Sequence, residues 1–234
     1  RTHWKDEGGA KKVTSPVSLI VTAFATLADV RGTLTPQLNT AELETTLVLI
    51  DLGKGQNRMG GSMLAQTLGQ VGDTVPDLDD PQDLISLVNA VNALRAQGKI
   101  LAYHDRSDGG LMATACEMAF AGHVGVALNV DLLVTEGDGI SDSRAEHGDS
   151  KNWAGQVSAR REELTLKALF SEELGVLLQV CTAERSDVMQ TLRDHGLSKH
   201  SHSIGKVIAK PLKAEAASIQ IWRDAKAIFS APLQ

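Results

Sequence analysis

Aromatic residues make up only 3% of this 234-residue chain: three tryptophans, four phenylalanines and one tyrosine. With so few rings and a net charge of −6, the sequence has neither the stacking platform nor the basic face that nucleic-acid binding requires. Basic pairs such as Lys11-Lys12 and Arg160-Arg161 are local and read as solvated surface. No apolar run reaches the roughly 20 residues a membrane-spanning helix needs, and no charged-then-apolar signal segment opens the chain. There are two cysteines, Cys116 in a predicted helix and Cys181 in a predicted strand. They read as small core hydrophobes rather than a disulfide or a metal pair, which suits a reducing cytoplasm. The 42% hydrophobic content is enough for one large domain, or one domain plus a fragment. The start at Arg1 and the end at Pro232-Leu-Gln234 read as a piece of a longer polypeptide.

The most informative run is Leu101-Ala-Tyr-His-Asp-Arg-Ser-Asp-Gly-Gly-Leu111. Ile100 to Tyr103 read as the end of a buried strand, and Leu111 to Ala121 as a helix of strong helix formers closed by Gly122. Free N–H groups and the positive end of a helix dipole at such a junction favour phosphate. Asp105 and Asp108 are oxygen ligands suited to a hard cation such as Mg2+. A structural reading stands beside this one: Ser107 or Asp108 caps the helix and the glycines make the turn. Asp105 lies too early to cap conveniently.

Elsewhere the chain shows a strand over Pro16–Phe24, a connector over Arg31–Thr40 and a second strand over Thr45–Asp51, with a domain boundary near residue 40. The loop Gly53-Lys-Gly-Gln-Asn-Arg-Met-Gly-Gly61 runs into a helix over Ser62–Leu68. It lacks both the Walker-type ending and the dinucleotide spacing, so it is weak as a phosphate cradle. Asp80 and Pro81 open a helix whose apolar stripe is Leu84, Leu87, Val88, Val91 and Leu94, expected to be core. Residues 135–163 are polar and read as an exposed insertion, with His147 and Asp149 at the surface. A short helix over Leu164–Phe170 follows, then Ser171-Glu-Glu-Leu-Gly175, whose acidic pair could flank a pocket. The rest is a strand over Val176–Cys181, a helix over Ala183–His195, a strand over Ser203–Val207 and a hairpin turning at Arg223-Asp224.

Two further constellations carry little. His200 and His202 sit at strand spacing, but no third ligand accompanies them. Ser107, His104 and Asp105 are too close along one loop to form a nucleophile-base-orienter relay.

Taken in order, several segments resemble phosphoribosylformylglycinamidine synthase of the large single-chain type. They are Thr14–Leu19, Leu34-Thr-Pro-Gln-Leu38, Leu49–Gly55, Gly60–Gln66, Ala102–Gly110, Glu117–Gly122 and Ser171–Gly175. The resemblance covers nearly all of residues 1–134 and 164–230; the 135–163 segment departs from the pattern. It implies the C-terminal half of the second aminoimidazole-ribonucleotide-synthetase-like repeat, over residues 40–234. Residues 1–39 would be the last strand and exit of the preceding half. The implied fold is an α/β sandwich with a mixed sheet covered by helices. The implied activity is an ATP-dependent ligase of purine biosynthesis, in the cytoplasm, acting with Mg2+ and ATP or ADP. By the same resemblance Asp105 is a magnesium ligand and Ser107 contacts the nucleotide, in a cleft of the kind that holds a nucleotide mainly for structure. His104, Arg106, Asp108, Gly109 and Gly110 belong to the same motif. The expected partners are the remainder of the polypeptide: the preceding half, the first repeat and the glutaminase. Neither cysteine lies in a nucleophile turn, so ammonia would come from elsewhere in the polypeptide, and the fragment alone is expected to be inactive. The rival readings are a related ATP-using synthetase or kinase, or a non-catalytic interaction module working through the 135–163 segment.

Overall fold

The structure, a computed structural model, describes residues 2–13, 20–42, 44–72, 74–135, 150–208 and 217–233, with the backbone alone for 150–154. The chain divides into two compact units, Arg1–Arg31 and Gly32–Gln234.

In the first unit, β1 (Thr2–Asp6) and β2 (Gly9–Val13) form an antiparallel hairpin. The polar composition of residues 1–12 conceals it. Its turn rests on Gly9 at φ +104° and on the Asp6 carboxylate, which accepts the Gly8 N–H at 2.8 Å. The strand expected over 16–24 is not found in its described part: residues 20–24 are irregular, with Ile20 90% and Phe24 93% exposed. Residues 14–19 lie outside the described residues. A β-branched run becomes a strand only where its backbone finds a partner.

The second unit is built on a seven-stranded sheet. Its strands are β3 (Thr45–Asp51), β4 (Ala102–Asp105), β5 (Gly125–Asn129), β6 (Gly175–Cys181), β7 (Ser201–Ile208), β8 (Ser218–Arg223) and β9 (Lys226–Pro232). They lie in the order β4-β6-β3-β7-β5-β8-β9, antiparallel except for the parallel pair β5–β8. The mixed sheet covered by helices is thus what the sequence led us to expect.

Alternation along β3 explains the layers. Leu47 and Leu49 face one core, with Leu111, Ala115 and Met118 of α3 (Gly110–Gly122) and Leu169 of α5 (Ser150–Phe170). Val48 and Ile50 face the other core, with Leu87, Ala90 and Leu94 of α2 (Pro81–Ala96) and Val188 and Leu192 of α6 (Arg185–Asp194). A strand covered on both sides has no polar face to show, which is why β3 reads as apolar from Leu47 to Ile50 and β6 as an apolar run broken by the buried Gln179. Two short helices, α1 (Met63–Thr67) and α4 (Asp131–Val134), complete the α-helices among the described residues.

The connector before β3 belongs to this unit. Leu38 is buried, and the Tyr103 N–H donates to Thr35 O at 2.9 Å along the open side of β4. The expected helix α2 is present, capped by Asp80 with Pro81 in its first turn. Its apolar stripe is divided, however: Leu87 and Leu94 are buried, whereas Leu84 is 39% and Val88 51% exposed.

Within the segment 135–163, expected to be an exposed insertion, residues 155–163 are mostly exposed, but the helix expected from Leu164 starts earlier: residues 150–163 are the first part of the 21-residue helix α5. Residues 136–149, with His147 and Asp149, lie outside the described residues. Arg161 anchors the helix, its Nη2 2.7 Å from Asp224 Oδ1 in the β8–β9 turn, and Arg223 donates to Thr165 Oγ1 at 2.9 Å. Polar residues with good helix propensity extend a helix as readily as apolar ones when one side finds such anchors. Cys116 and Cys181 are free thiols.

Replacing the fully buried Leu178 with Ala is expected to cost about 2–5 kcal/mol. The same change at Leu166, 52% exposed on α5, is expected to cost no more than about 0.5 kcal/mol. Urea unfolding of the two variants checks the assignment of the core.

Candidate functional site

The site forms where β4 ends. Side chains alternate across a strand and its continuation, so Asp105 and Ser107 face solvent while Arg106 turns inward and is 4% exposed. A buried guanidinium must satisfy its donors. Arg106 Nε donates to Glu173 O at 2.6 Å, and Nη2 donates to Leu174 O at 3.2 Å and to the carboxylate of Asp51 at the end of β3. Burial pushes the Asp51 carboxyl up; the adjoining Arg106 charge and the N–H groups of Gly55 and Gly53 outweigh it and hold the group below its ordinary value. Gly53 and Gly55 donate to Asp51 at 3.1 and 2.8 Å. The glycine-rich loop thus wraps a carboxylate of its own chain.

The connector between α5 and β6 clasps both flanks of the site. Glu173, fully buried, takes the Arg58 backbone N–H at 2.9 Å and its guanidinium at 2.7 and 2.8 Å. Gly53 permits this, because a Cβ there would lie 2.6 Å from the Glu173 side chain. Glu172 Oε1 accepts N–H groups from Met63 and Gly109, each at 2.8 Å. The acidic pair expected to flank a pocket therefore holds the walls together. The N–H of Gly109, a donor expected to favour phosphate, is engaged by a carboxylate. Its neighbour Gly110 donates to Ser107 O at 2.9 Å.

Neither Ser107 nor Asp108 caps α3. Gly109, at φ +81°, occupies the cap position. Gly110 follows at φ +67°, and a Cβ there would lie 2.6 Å from Ser171 O, so the start of α3 abuts the α5–β6 connector. Asp108 is exposed.

Asp105 and Ser107 come together on the rim of one cleft of about 420 Å3, between α2 and the end of β4. The Tyr103 hydroxyl donates to Asp105 Oδ1 at 2.6 Å. Burial first, then the Asp105 carboxylate, pushes the Tyr103 phenol above its ordinary value, so it stays a donor. With Oδ1 so occupied, Oδ2 is the oxygen left to face a ligand. His104 donates from Nδ1 to Asp105 O at 2.8 Å and lies 2.8 Å from Glu117 through Nε2, a holding role. His200 and His202 do not act as a pair: His200 Nδ1 donates to Asp51 O at 3.1 Å, while His202 sits opposite Leu49 in the sheet. Among the described residues no group of three or more His, Cys, Asp or Glu is placed to hold a metal ion. One exposed carboxylate beside a hydroxyl nevertheless fits Mg2+, which takes one or two carboxylates and draws its other ligands from water and phosphate.

Asp51 and Tyr103 were missed as site residues by sequence reasoning. For Asp51 a signal existed, since an acidic residue closing a fully apolar strand must be paired if it is buried.

Residues 46–216 match the family model described as AIR synthase related protein, C-terminal domain. The chain belongs to that family. The AIR synthase-related domain spans the sheet from β3 through β7, and with it Asp51, the Asp105–Ser107 loop and the acidic connector. Solved structures share its fold. A Thermotoga maritima PurL complexed with ATP superposes with a TM-score of 0.54 at 14% identity, over 86% of this chain and 27% of that one. Phosphoribosylformylglycinamidine synthase II of the same organism gives 0.53 at 13% identity, over 85% and 26%. Escherichia coli HypE gives 0.49 at 20% identity, over 86% and 52%. The chain thus spans about a quarter of the length of the protein in the two Thermotoga structures. No helix among the described residues is long and apolar enough to cross a membrane.

Replacing Asp51 with Asn leaves the Arg106 charge buried without its partner and is expected to cost about 3–5 kcal/mol. Because the Asp51 pKa is lowered on folding, its contribution is present above the ordinary carboxylate value of about 4 and is lost as pH falls through the lowered one. Denaturant unfolding at neutral pH and down through the acid range checks both. A variant as stable as the wild type, with the same acid profile, would show that the pair holds nothing.

Proposed function

We propose that this AIR synthase-related domain is part of an ATP-dependent ligase of the phosphoribosylformylglycinamidine synthase type, and that its Asp105–Ser107 loop holds a Mg2+-nucleotide. The observation that carries the reading is the convergence of the Asp105 carboxylate and the Ser107 hydroxyl on one cleft, within Ala102–Gly110, one of the segments that resemble that family. The whole enzyme would convert formylglycinamide ribonucleotide, glutamine and ATP to formylglycinamidine ribonucleotide, glutamate, ADP and phosphate. In that reaction the amide oxygen takes the γ-phosphoryl group, ammonia attacks the amide carbon, and phosphate leaves with the oxygen. Mg2+ would supply charge screening of the phosphates.

Within this assignment each residue has a role fixed by its surroundings. Asp105 offers Oδ2 to the metal while Tyr103 holds Oδ1. Ser107 offers a hydroxyl to a phosphate or ribose oxygen. Arg106 keeps both facing outward. The remaining ligands would come from the preceding half of the same polypeptide, and ammonia from its glutaminase. The chain alone would therefore give no turnover, and the site would hold nucleotide mainly for structure.

Calorimetric titration of Mg-ADP into nucleotide-stripped protein tests the reading. Asp105→Asn is expected to weaken binding about tenfold or more, since a charge-assisted metal contact is lost. Tyr103→Phe is expected to weaken it by less, about threefold, because the carboxylate remains but is no longer oriented. Binding unchanged in Asp105→Asn would reduce the loop to a turn and leave the ligase reading without a site.

A further inference from the structure

We propose that the outward apolar face of α2 is the wall against which the base and ribose of the bound nucleotide lie. This rests on the nucleotide reading above. Leu84, Val88 and Val91 follow one another at i, i+4 and i+7, which places them on a single stripe of the helix. Helices usually bury such a stripe, yet here the buried stripe is the neighbouring one, Leu87, Ala90 and Leu94. Leu84 and Val88 remain 39% and 51% exposed, and with Leu174, 40% exposed across the gap, they line the cleft that Asp105 and Ser107 overlook.

The lining divides by polarity between elements: the loop after β4 contributes the carboxylate and the hydroxyl, and α2 contributes aliphatic side chains. Tyr103 joins them, its ring in the cleft lining and its hydroxyl on Asp105. On α2 the exposed amide of Asn92 offers both a donor and an acceptor to the edge of a base. A nucleoside polyphosphate has the same two kinds of part: metal-bridged phosphates at one end, a flat weakly polar ring at the other. The volume of about 420 Å3 also falls within the roughly 300–1,000 Å3 of small-molecule sites.

The test compares Mg-ADP with magnesium pyrophosphate, which keeps the metal and phosphates but has no nucleoside. Both are titrated, after nucleotide stripping, into the polypeptide that carries this chain together with the preceding half. The wild type is expected to bind Mg-ADP about tenfold or more tightly than magnesium pyrophosphate, the difference coming from apolar area covered on α2. In the double variant Leu84→Gln, Val88→Gln that advantage is expected to vanish while pyrophosphate affinity stays within about twofold. Both positions are solvent-exposed and glutamine is a good helix former, and the single variant Val88→Gln, expected to lose part of the advantage, serves should the double variant unfold. Equal affinity of the wild type for the two ligands, or a variant that weakens both alike, would overturn the inference and leave the metal-phosphate site standing. Failure of the wild type to bind either ligand would overturn the nucleotide reading itself.

Discussion

The buried pair of Asp51 and Arg106 is the constraint from which the rest of the site follows. Taking two charges out of water costs several kcal/mol per ion, so such a pair survives only if its other lone pairs and donors are satisfied. Here they are. Asp51 receives the N–H groups of Gly53 and Gly55, and Arg106 gives to the carbonyls of Glu173 and Leu174. Those partners come from the loop after β3 and from the connector before β6, while Arg106 itself directly follows β4. Three adjacent strands are thereby tied together at one end of the sheet. Because residue 106 must face inward to reach Asp51, residues 105 and 107 must face outward. The candidate ligand groups are exposed because their neighbour is buried.

The acidic connector adds a second constraint. A helix N-terminus attracts anions through its unsatisfied N–H groups and its dipole, and a carboxylate of the same chain can fill that position as well as a phosphate can. Glu172 does so at Gly109, and the same oxygen also takes the N–H of Met63. Glu173, one residue on, turns the opposite way into Arg58. Two neighbouring acidic side chains thus hold the glycine-rich loop, α1 and the start of α3 in register. A phosphate at Gly109 would have to displace Glu172, so Asp105, Ser107 and a bridging cation are better suited to carry the anionic end of a ligand.

Much of this was legible where the signal is local. The Asp80-Pro81 start of α2, the apolar runs of β3 and β6, and the position of Asp105 at a strand end all follow from propensity, capping and period. What escaped depends on partners far along the chain. Nothing near Asp51 names Arg106, 55 residues away, and nothing near Glu172 names Gly109, 63 residues away. The polar first part of α5 was hidden because charged residues on a helix resemble those of an exposed loop until Arg161 is seen against Asp224. The strand expected over 16–24 failed for the converse reason: its composition was favourable, but its described part lacks a pairing partner.

The same geometry limits how a cation could be held. Asp105 has one oxygen committed to Tyr103, so it can give a divalent ion a single strong contact. Mg2+ demands six ligands in near-octahedral arrangement and parts with its water reluctantly. No second acidic or imidazole cluster is placed to help among the described residues. An ion held by one carboxylate oxygen would exchange freely with solvent. One that arrives already bound to phosphate oxygens brings part of its own coordination shell and needs only the contact this loop can give. On the proposed reading the site suits a metal–nucleotide complex better than the free ion, and its selectivity would come from whatever else the nucleotide touches. On the same reading, that would be the aliphatic wall beside it.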